Sequence, residues 1–253
     1  MSIADVVDAL DLPAAALVGK RVSKQILSSH AASTAADKKK IESDIEEVRW
    51  IASLKPTTVA VSAFEDESRQ YLEIAVVGVE LRGAPARQRL VEIIHRAIPH
   101  PVMLIDSLGA TTNLSGAAKR WSLASARDVV LEPPTYTTTV SLLEDHDERD
   151  GPLRKFLSLA ARPFRDMFDL YDHWLDVICM AEAAKRTRVL VPLADPGQRL
   201  ARRAGLADAA RIDGVIASLR AEAQRASQMA DRVELNLRIQ NLRGELDAAI
   251  ATI

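Results

Sequence analysis

Residues 71–81, "YLEIAVVGVEL", form the most strand-like stretch of the chain. β-branched and aromatic residues dominate it, and these side chains fit the pleated, half-buried surface of a sheet. Residues 58–64 have a similar composition, and the polar turn "EDESRQ" separates the two stretches. Together they predict a β-hairpin. Further along, residues 100–109, 111–121 and 128–141 predict three more strands.

Helical patterns flank these strands. Thr34 stands three residues before Asp37, which is the spacing of a helix N-cap with an acid in the first turn. Ile41, Ile45 and Val48 then recur at helical spacing, so we expect a helix from 34 to 55, ended by Pro56. Residues 85–98, "PARQRLVEIIHRAI", predict a second amphipathic helix.

The order of these elements predicts an α+β fold. We expect an N-terminal, mostly antiparallel sheet of about five strands with packed helices, followed by an all-helical region that ends in a coiled-coil-like helix. The predicted divisions are an α+β domain at 1–143, an acidic linker at 144–152, a helical segment at 153–190 and a long heptad-patterned region at 198–253.

The last region carries two apolar seams with steps of three and four residues. The first contains Ile212, Ile216, Leu219, Ala223, Ala226, Ala230, Val233 and Leu237; the second contains Leu235, Ile239, Leu242, Leu246, Ala249 and Ile253. An offset of two residues rotates a helix by about 200°, so the seams would face opposite sides of one long helix. We expect this helix to dock a protein partner through Val233, Leu235, Leu237, Ile239, Leu242 and Leu246.

Composition limits the class of protein. Hydrophobic residues make up 48% of the chain and the formal net charge is −2, which fits a globular protein and not a strongly basic nucleic-acid binder. The single Cys179 rules out a disulfide framework. No apolar run is long enough to cross a bilayer, and the first residues are acidic, so we expect a cytoplasmic protein.

No complete catalytic signature is present, and the sequence indicates no cofactor. The nearest pattern is that of metal-dependent nucleases, whose strand carboxylates hold Mg²⁺. Glu73 and Glu80, with Asp66 in the preceding turn, are the candidate carboxylates. The lysine expected two residues after Glu80 is replaced by Arg82, and arginine is a poor tunable base.

Short basic clusters are the candidates for contact with nucleic acid. Phosphate contacts need cations, and an aromatic ring beside them offers a stacking surface for a base. The candidate residues are Lys20, Arg21, Lys24, Lys119, Arg120 and Trp121. They would act as one site only if the fold brought the two clusters together.

Several stretches resemble a bacterial family classed as a domain of unknown function. They include "LVGKRVSK" (17–24), "YLEIAVVGVELR" (71–82), "LVEIIHRAIPHPVMLI" (90–105) and "MADRVELNLRIQNLRGEL" (229–246). Members are typically encoded beside a DNA methyltransferase and a superfamily-2 helicase in restriction or anti-phage defence clusters. The resemblance implies a role next to DNA modification or translocation, and it assigns no catalytic residues.

Three functions remain open. The resemblance and the helical seams favour an accessory, non-catalytic subunit that binds a methyltransferase or helicase, and DNA in addition. The acidic hairpin leaves a divergent Mg²⁺-dependent nuclease as an alternative. Self-association of the C-terminal helix leaves a homodimeric scaffold as another.

Overall fold

The computed structural model describes residues 2–31, 34–83, 87–124, 128–140 and 152–253. Contacts divide the chain into two compact units, Met1–Ala181 and Glu182–Ile253. The predicted acidic linker lies outside the described residues except for Pro152, where a helix begins. The predicted domain boundaries stay predictions.

A six-stranded sheet organises the first unit. Its strands are β1 (Leu17–Arg21), β2 (Ile45–Leu54), β5 (Ile74–Leu81), β6 (Val102–Leu108), β7 (Thr111–Trp121) and β8 (Val129–Thr139). Their spatial order is β1-β2-β5-β6-β7-β8. Only β5 and β6 run parallel, and the other neighbours are antiparallel. The predicted α+β fold with a mostly antiparallel sheet, followed by helices, is therefore confirmed.

Helices cover both faces of the sheet. Those of the first unit are α1 (Ile3–Leu10), α2 (Lys24–Ala31), α3 (Ala35–Asp44), α4 (Pro56–Val59), α5 (Arg87–Ala97), α6 (Pro152–Leu157) and α7 (Met167–Thr187, which continues into the second unit). Apolar side chains of α2, α3 and α5 pack with the odd-numbered residues of β5 into one core. On the other face, Gly78 lies against Ile3 of α1, and Gly116 lies against Tyr171 and Leu175 of α7.

The predicted helix from 34 to 55 is correct only in its first half. Thr34 caps α3 by accepting a hydrogen bond from the Asp37 N–H at 3.1 Å, but α3 ends at Asp44 and residues 45–54 form β2. Ile45 and Val48 imitate helical spacing because β2 carries an extra residue between Ile45 and Glu47. This β-bulge widens the period-two spacing of inward residues to three.

The predicted hairpin of 58–64 with 71–81 is also wrong. Pro56 begins the short helix α4 rather than ending a helix, as suits proline at a first helical position. The hairpin that does form is smaller and pairs β3 (Phe64–Glu65) with β4 (Gln70–Tyr71). β5 instead lies in the middle of the sheet between β2 and β6. Its unbroken apolar run suits a strand that is buried on both faces.

The pairing of β7 with β8 contains a second irregularity. Gly116 lies opposite Tyr136 and Ala118 opposite Glu132, so β8 bulges outward at Pro133, Pro134 and Thr135. The Ala117 backbone faces the other neighbour, β6, whose regular pairing with β7 extends to Leu104 and Ser115. Beyond that pair the Tyr171 hydroxyl lies between the two strands: it accepts from the Ala117 N–H at 3.0 Å and donates to the Val102 carbonyl oxygen at 2.8 Å.

The second unit contains a helical hairpin. α8 (Pro196–Arg225) and α9 (Met229–Ile250) are joined by Ala226–Gln228, so the expected single long helix is wrong. The helices run antiparallel, since Gly205 near the start of α8 lies against Ala249 and Thr252. The two predicted seams meet each other in the hairpin interior. Ile212, Ile216 and Leu219 of α8 pack there with Leu235 and Ile239 of α9.

Candidate functional site

The candidate nuclease carboxylates do not come together. Glu73 immediately precedes β5 and Glu80 lies near its end, about 23 Å away at the rise of a strand. Asp66 is held in the β3–β4 turn, where its Oδ1 accepts from the N–H groups of Ser68 and Arg69 at 2.7 and 2.8 Å. Glu73 and Glu80 therefore cannot hold one metal ion between them.

Glu73 instead belongs to a local polar cluster. Its Oε1 accepts from the Ser53 hydroxyl at 2.6 Å, and Lys55 Nζ lies 3.3 Å from its Oε2. Within the described ranges, no group of three or more His, Cys, Asp or Glu side chains is arranged to hold a metal ion. The geometry of Glu73 is that of a carboxylate stabilised by neighbouring donors.

Two lysines of the predicted nucleic-acid site point inward. Lys24 Nζ donates to the carbonyl oxygens of Glu42 and Ile45 at the end of α3. Lys119 Nζ donates to the carbonyl oxygens of Ile98 and His100, just past the end of α5. Both amines cap helix C-termini, where the last carbonyls lack helical donors and the dipole favours a cation.

The remaining basic candidates do not converge. Lys20 and Arg21 are exposed on the edge strand β1, whereas Arg120 and Trp121 are half-buried on β7. β2, β5 and β6 lie between those strands, a distance of about 19 Å at normal strand spacing. The two basic clusters are thus separate surfaces.

The predicted docking residues divide into two groups. Leu235 and Ile239 are buried in the α8–α9 interior, and Leu242 and Leu246 pack partly against it. Val233 and Leu237 point outward and are 51% and 56% exposed. Residues two positions apart are rotated by about 200° on a helix, which accounts for the division.

Met229 extends the exposed group. It is 72% exposed, and Met229, Val233 and Leu237 follow each other at intervals of four residues. We call these three residues the outer stripe. Sequence reasoning missed Met229, although the same four-residue step from Val233 back toward the helix start would have found it.

A cleft of about 470 Å³ lies between α5 and the strands β7 and β8. We call it the α5–β8 cleft. Its described lining is Glu92, His95, Arg96, Ile98, Lys119, Val129, Val130, Leu131, Pro133 and Thr135. Pro133 and Thr135 belong to the bulge of β8, which therefore forms part of the cleft wall.

Burial lowers the pKa values of two titratable groups that line the cleft, Lys119 and His95. The Lys119 side chain is buried, and loss of solvation lowers its pKa to about 7. Burial, with the nearby Lys119 charge, lowers the pKa of His95 to about 3, so its imidazole is neutral at physiological pH. His95 Nε2 lies 3.1 Å from the Ser115 hydroxyl, and its Nδ1 has no hydrogen-bond partner among the described residues.

Sequence reasoning did not find this cleft, because its lining comes from residues 92–98, 119 and 129–135. These segments are neighbours only after the sheet forms. One signal was available: Lys119 interrupts a run of small and apolar residues in "LSGAAKRW", where an inward lysine requires a polar partner.

None of the helices in the described ranges combines the length and apolar character needed to span a membrane.

Comparisons with known proteins place the chain in a family. No curated protein and no solved structure matches the chain. The profile of a family described as "Domain of unknown function (DUF4391)" matches residues 10–246. Because this match covers nearly the whole sequence, the chain belongs to the DUF4391 family.

Proposed function

We propose that this protein is an accessory, non-catalytic subunit of a bacterial restriction-modification or anti-phage defence assembly. The observation that carries the proposal is the outer stripe, an apolar surface on the side of α9 that faces away from the hairpin interior. Its partner would be a DNA methyltransferase or a superfamily-2 helicase, as the sequence resemblance implies.

The outer stripe has the properties of a small docking centre. Covering the exposed parts of three large apolar side chains contributes about 3 kcal/mol. Anchors of this kind lie at the centre of protein interfaces and are surrounded by contacts that exclude water. The stripe spans two turns of a helix that already packs along its other side, so α9 needs little reordering on binding.

Contact with DNA is a separate part of the proposal. It rests on Lys20 and Arg21, which are exposed on β1; Arg21 Nε also lies 3.7 Å from Glu47 Oε2. A surface with two cations supports only weak, salt-dependent binding. We therefore place protein docking first and DNA contact second.

Co-purification from the native host tests the docking proposal. Tagged wild-type protein should retain a methyltransferase or helicase after nuclease treatment, as identified by mass spectrometry. The double variant Val233→Glu, Leu237→Glu should retain about tenfold less of that enzyme, or less still, because charges on the stripe would be desolvated on binding. Leu200→Glu is the matched control: Leu200 is 69% exposed and lies roughly 25–30 Å from the stripe along the hairpin.

Equal recovery by the double variant and the wild type would contradict the proposal, as would recovery of neither enzyme. If only untagged copies of the same chain are recovered, the stripe joins two copies, as in the homodimeric alternative. Light scattering would then show a dimer that the double variant converts to monomer. The nuclease alternative has the least support, because Glu73 and Glu80 lie at opposite ends of β5.

A further inference from the structure

We propose that the α5–β8 cleft binds a small anionic ligand, a carboxylate or phosphate joined to an apolar body, and that Lys119 holds the anionic group. This site is independent of the outer stripe. Four features support it: an uncompensated cation at the base, balanced charges around it, an apolar wall, and a buried nitrogen that lacks a partner.

The cation is Lys119. Its side chain is 3% exposed and donates to the carbonyl oxygens of Ile98 and His100. These two acceptors leave one of the three ammonium N–H bonds available. Lys119 forms no ion pair with a carboxylate of the described residues. A buried ammonium without a counter-ion is costly, and an anion in the cleft would lower that cost.

The charges around Lys119 are already balanced. Arg89 makes two hydrogen bonds to Asp37, at 3.0 and 2.8 Å, and a third to Glu92 at 2.9 Å. Arg96 pairs with the other oxygen of Glu92 at 2.6 Å. Beside His100, the Glu73 carboxylate pairs with Lys55 at 3.3 Å and lies 4.0 Å from the His100 ring. These carboxylates are thus paired with other cations, whereas Lys119 donates to backbone carbonyls.

The side chains that line the cleft indicate the chemical character of the rest of the ligand. Ile98, Val129, Leu131 and Pro133 supply apolar surface, whereas Thr135 and the Glu92–Arg96 pair add polar groups. The volume lies in the lower part of the range of small-molecule sites. A ligand of about ten to fifteen non-hydrogen atoms with one anionic end suits this combination.

His95 supplies the fourth feature. Its ring is fully buried, lines the cleft and carries an Nδ1 without a partner in the described chain. If the Ser115 hydroxyl donates to Nε2, the neutral ring carries its proton on Nδ1. That N–H would then donate to a ligand oxygen.

Calorimetric titration of the full chain tests the proposal with three related probes. 3-Phenylpropionate carries a carboxylate, phenyl phosphate carries a phosphate, and 3-phenylpropanamide is the neutral counterpart of the first. At pH 6, we expect at least one anion to bind about ten- to hundredfold more tightly than the amide, which is the usual worth of a hydrogen bond to a charged group. The stronger of the two anions identifies the natural headgroup.

Variants then assign the site. Lys119→Met keeps the length of the side chain and should abolish the preference for the anion. Lys20→Met removes an exposed lysine about 19 Å away, and this variant should keep the preference for the anion. Leu131→Trp, which fills the cleft without changing a charge, should weaken all three probes.

The wild-type protein provides a test that does not depend on folding of a variant. The preference for the anion should disappear between pH 6 and 9, as Lys119 loses its proton, while amide binding stays constant. The proposal is overturned if neither anion binds more tightly than the amide, if neither binds up to about 10 mM, or if a folded Lys119→Met protein keeps the preference.

Discussion

Arg87 and Asp106 are joined by two parallel hydrogen bonds, from Nε to Oδ1 at 2.6 Å and from Nη2 to Oδ2 at 2.8 Å. The pair ties the first residue of α5 to the end of β6, and Asn113 Nδ2 donates to the same carboxylate at 3.3 Å. Asp106 is almost completely buried. The position of α5, and therefore of the α5–β8 cleft, depends on this contact.

Removing the guanidinium should destabilise the first unit substantially. We expect Arg87→Met to lower the free energy of unfolding by about 3 kcal/mol, because the Asp106 carboxylate would stay buried without its cation. Urea denaturation measures the loss. Arg96→Met is the control: it breaks an exposed pair with Glu92 and should cost less than about 1 kcal/mol. Equal costs for the two variants would contradict this account of Asp106.

The Tyr171 hydroxyl should be similarly important for the sheet. Tyr171→Phe removes the group that serves the Ala117 backbone and the Val102 carbonyl, so we expect a loss of about 2 kcal/mol. Tyr71→Phe offers a graded comparison, since its hydroxyl makes longer contacts, 3.1 and 3.4 Å, with the Lys119 backbone. If Tyr71→Phe costs more than Tyr171→Phe in thermal unfolding, the role of Tyr171 as a bridge between β6 and β7 is contradicted.

His95 should make the protein sensitive to acid. The native imidazole stays neutral down to its pKa of about 3, whereas in the unfolded chain it takes up a proton near its ordinary value of 6.5. Between those values the unfolded state binds more protons, so stability falls as the pH falls, by up to about 1.4 kcal/mol per pH unit.

Denaturation of His95→Gln between pH 7 and 4 checks this prediction. The variant should start less stable at pH 7, because it disturbs the contact with Ser115, but its stability should fall less steeply with acid. His173 also has a lowered pKa, chiefly through burial, so part of the slope should remain. Parallel curves for the variant and the wild type would show that His95 does not titrate as described.

Leu235 and Leu237 form a matched pair for separating stability from docking. Leu235 is buried between α8 and α9, and Leu237 lies in the outer stripe. Leu235→Ala should lower the stability of the hairpin by about 2–3 kcal/mol, whereas Leu237→Ala should change it by less than about 0.5 kcal/mol. Circular dichroism during denaturation measures both. The reverse ranking would contradict the assignment of the two faces.

The sequence predicted those parts of the fold that depend on local patterns. α5, β6, β7 and β8 lie close to their expected positions, because most of their residues follow helical or strand spacing. β2 was missed because its bulge imitates a helix. β1 was missed because all five of its residues are exposed and carry no pattern of burial. The break at Ala226–Gln228 was missed because those residues include neither glycine nor proline.

The candidate sites depended more on contacts between distant residues. The outer stripe was found in part, since helical periodicity alone places Val233 and Leu237 on one face. The inward direction of Lys24 and Lys119 was not predictable, because each lysine caps a helix end about twenty residues away along the chain. The cleft requires the same long-range information.

The two outer strands of the sheet limit how the protein can associate. Pro133 and Pro134 interrupt the free side of β8, since proline has no N–H to offer an added strand. On β1, the positive φ of Gly19 coincides with a shift in pairing, and Lys20 and Arg21 place charges beside it. Natural sheets use these devices to prevent edge-to-edge aggregation. Extension of the sheet by another chain is therefore disfavoured on both sides.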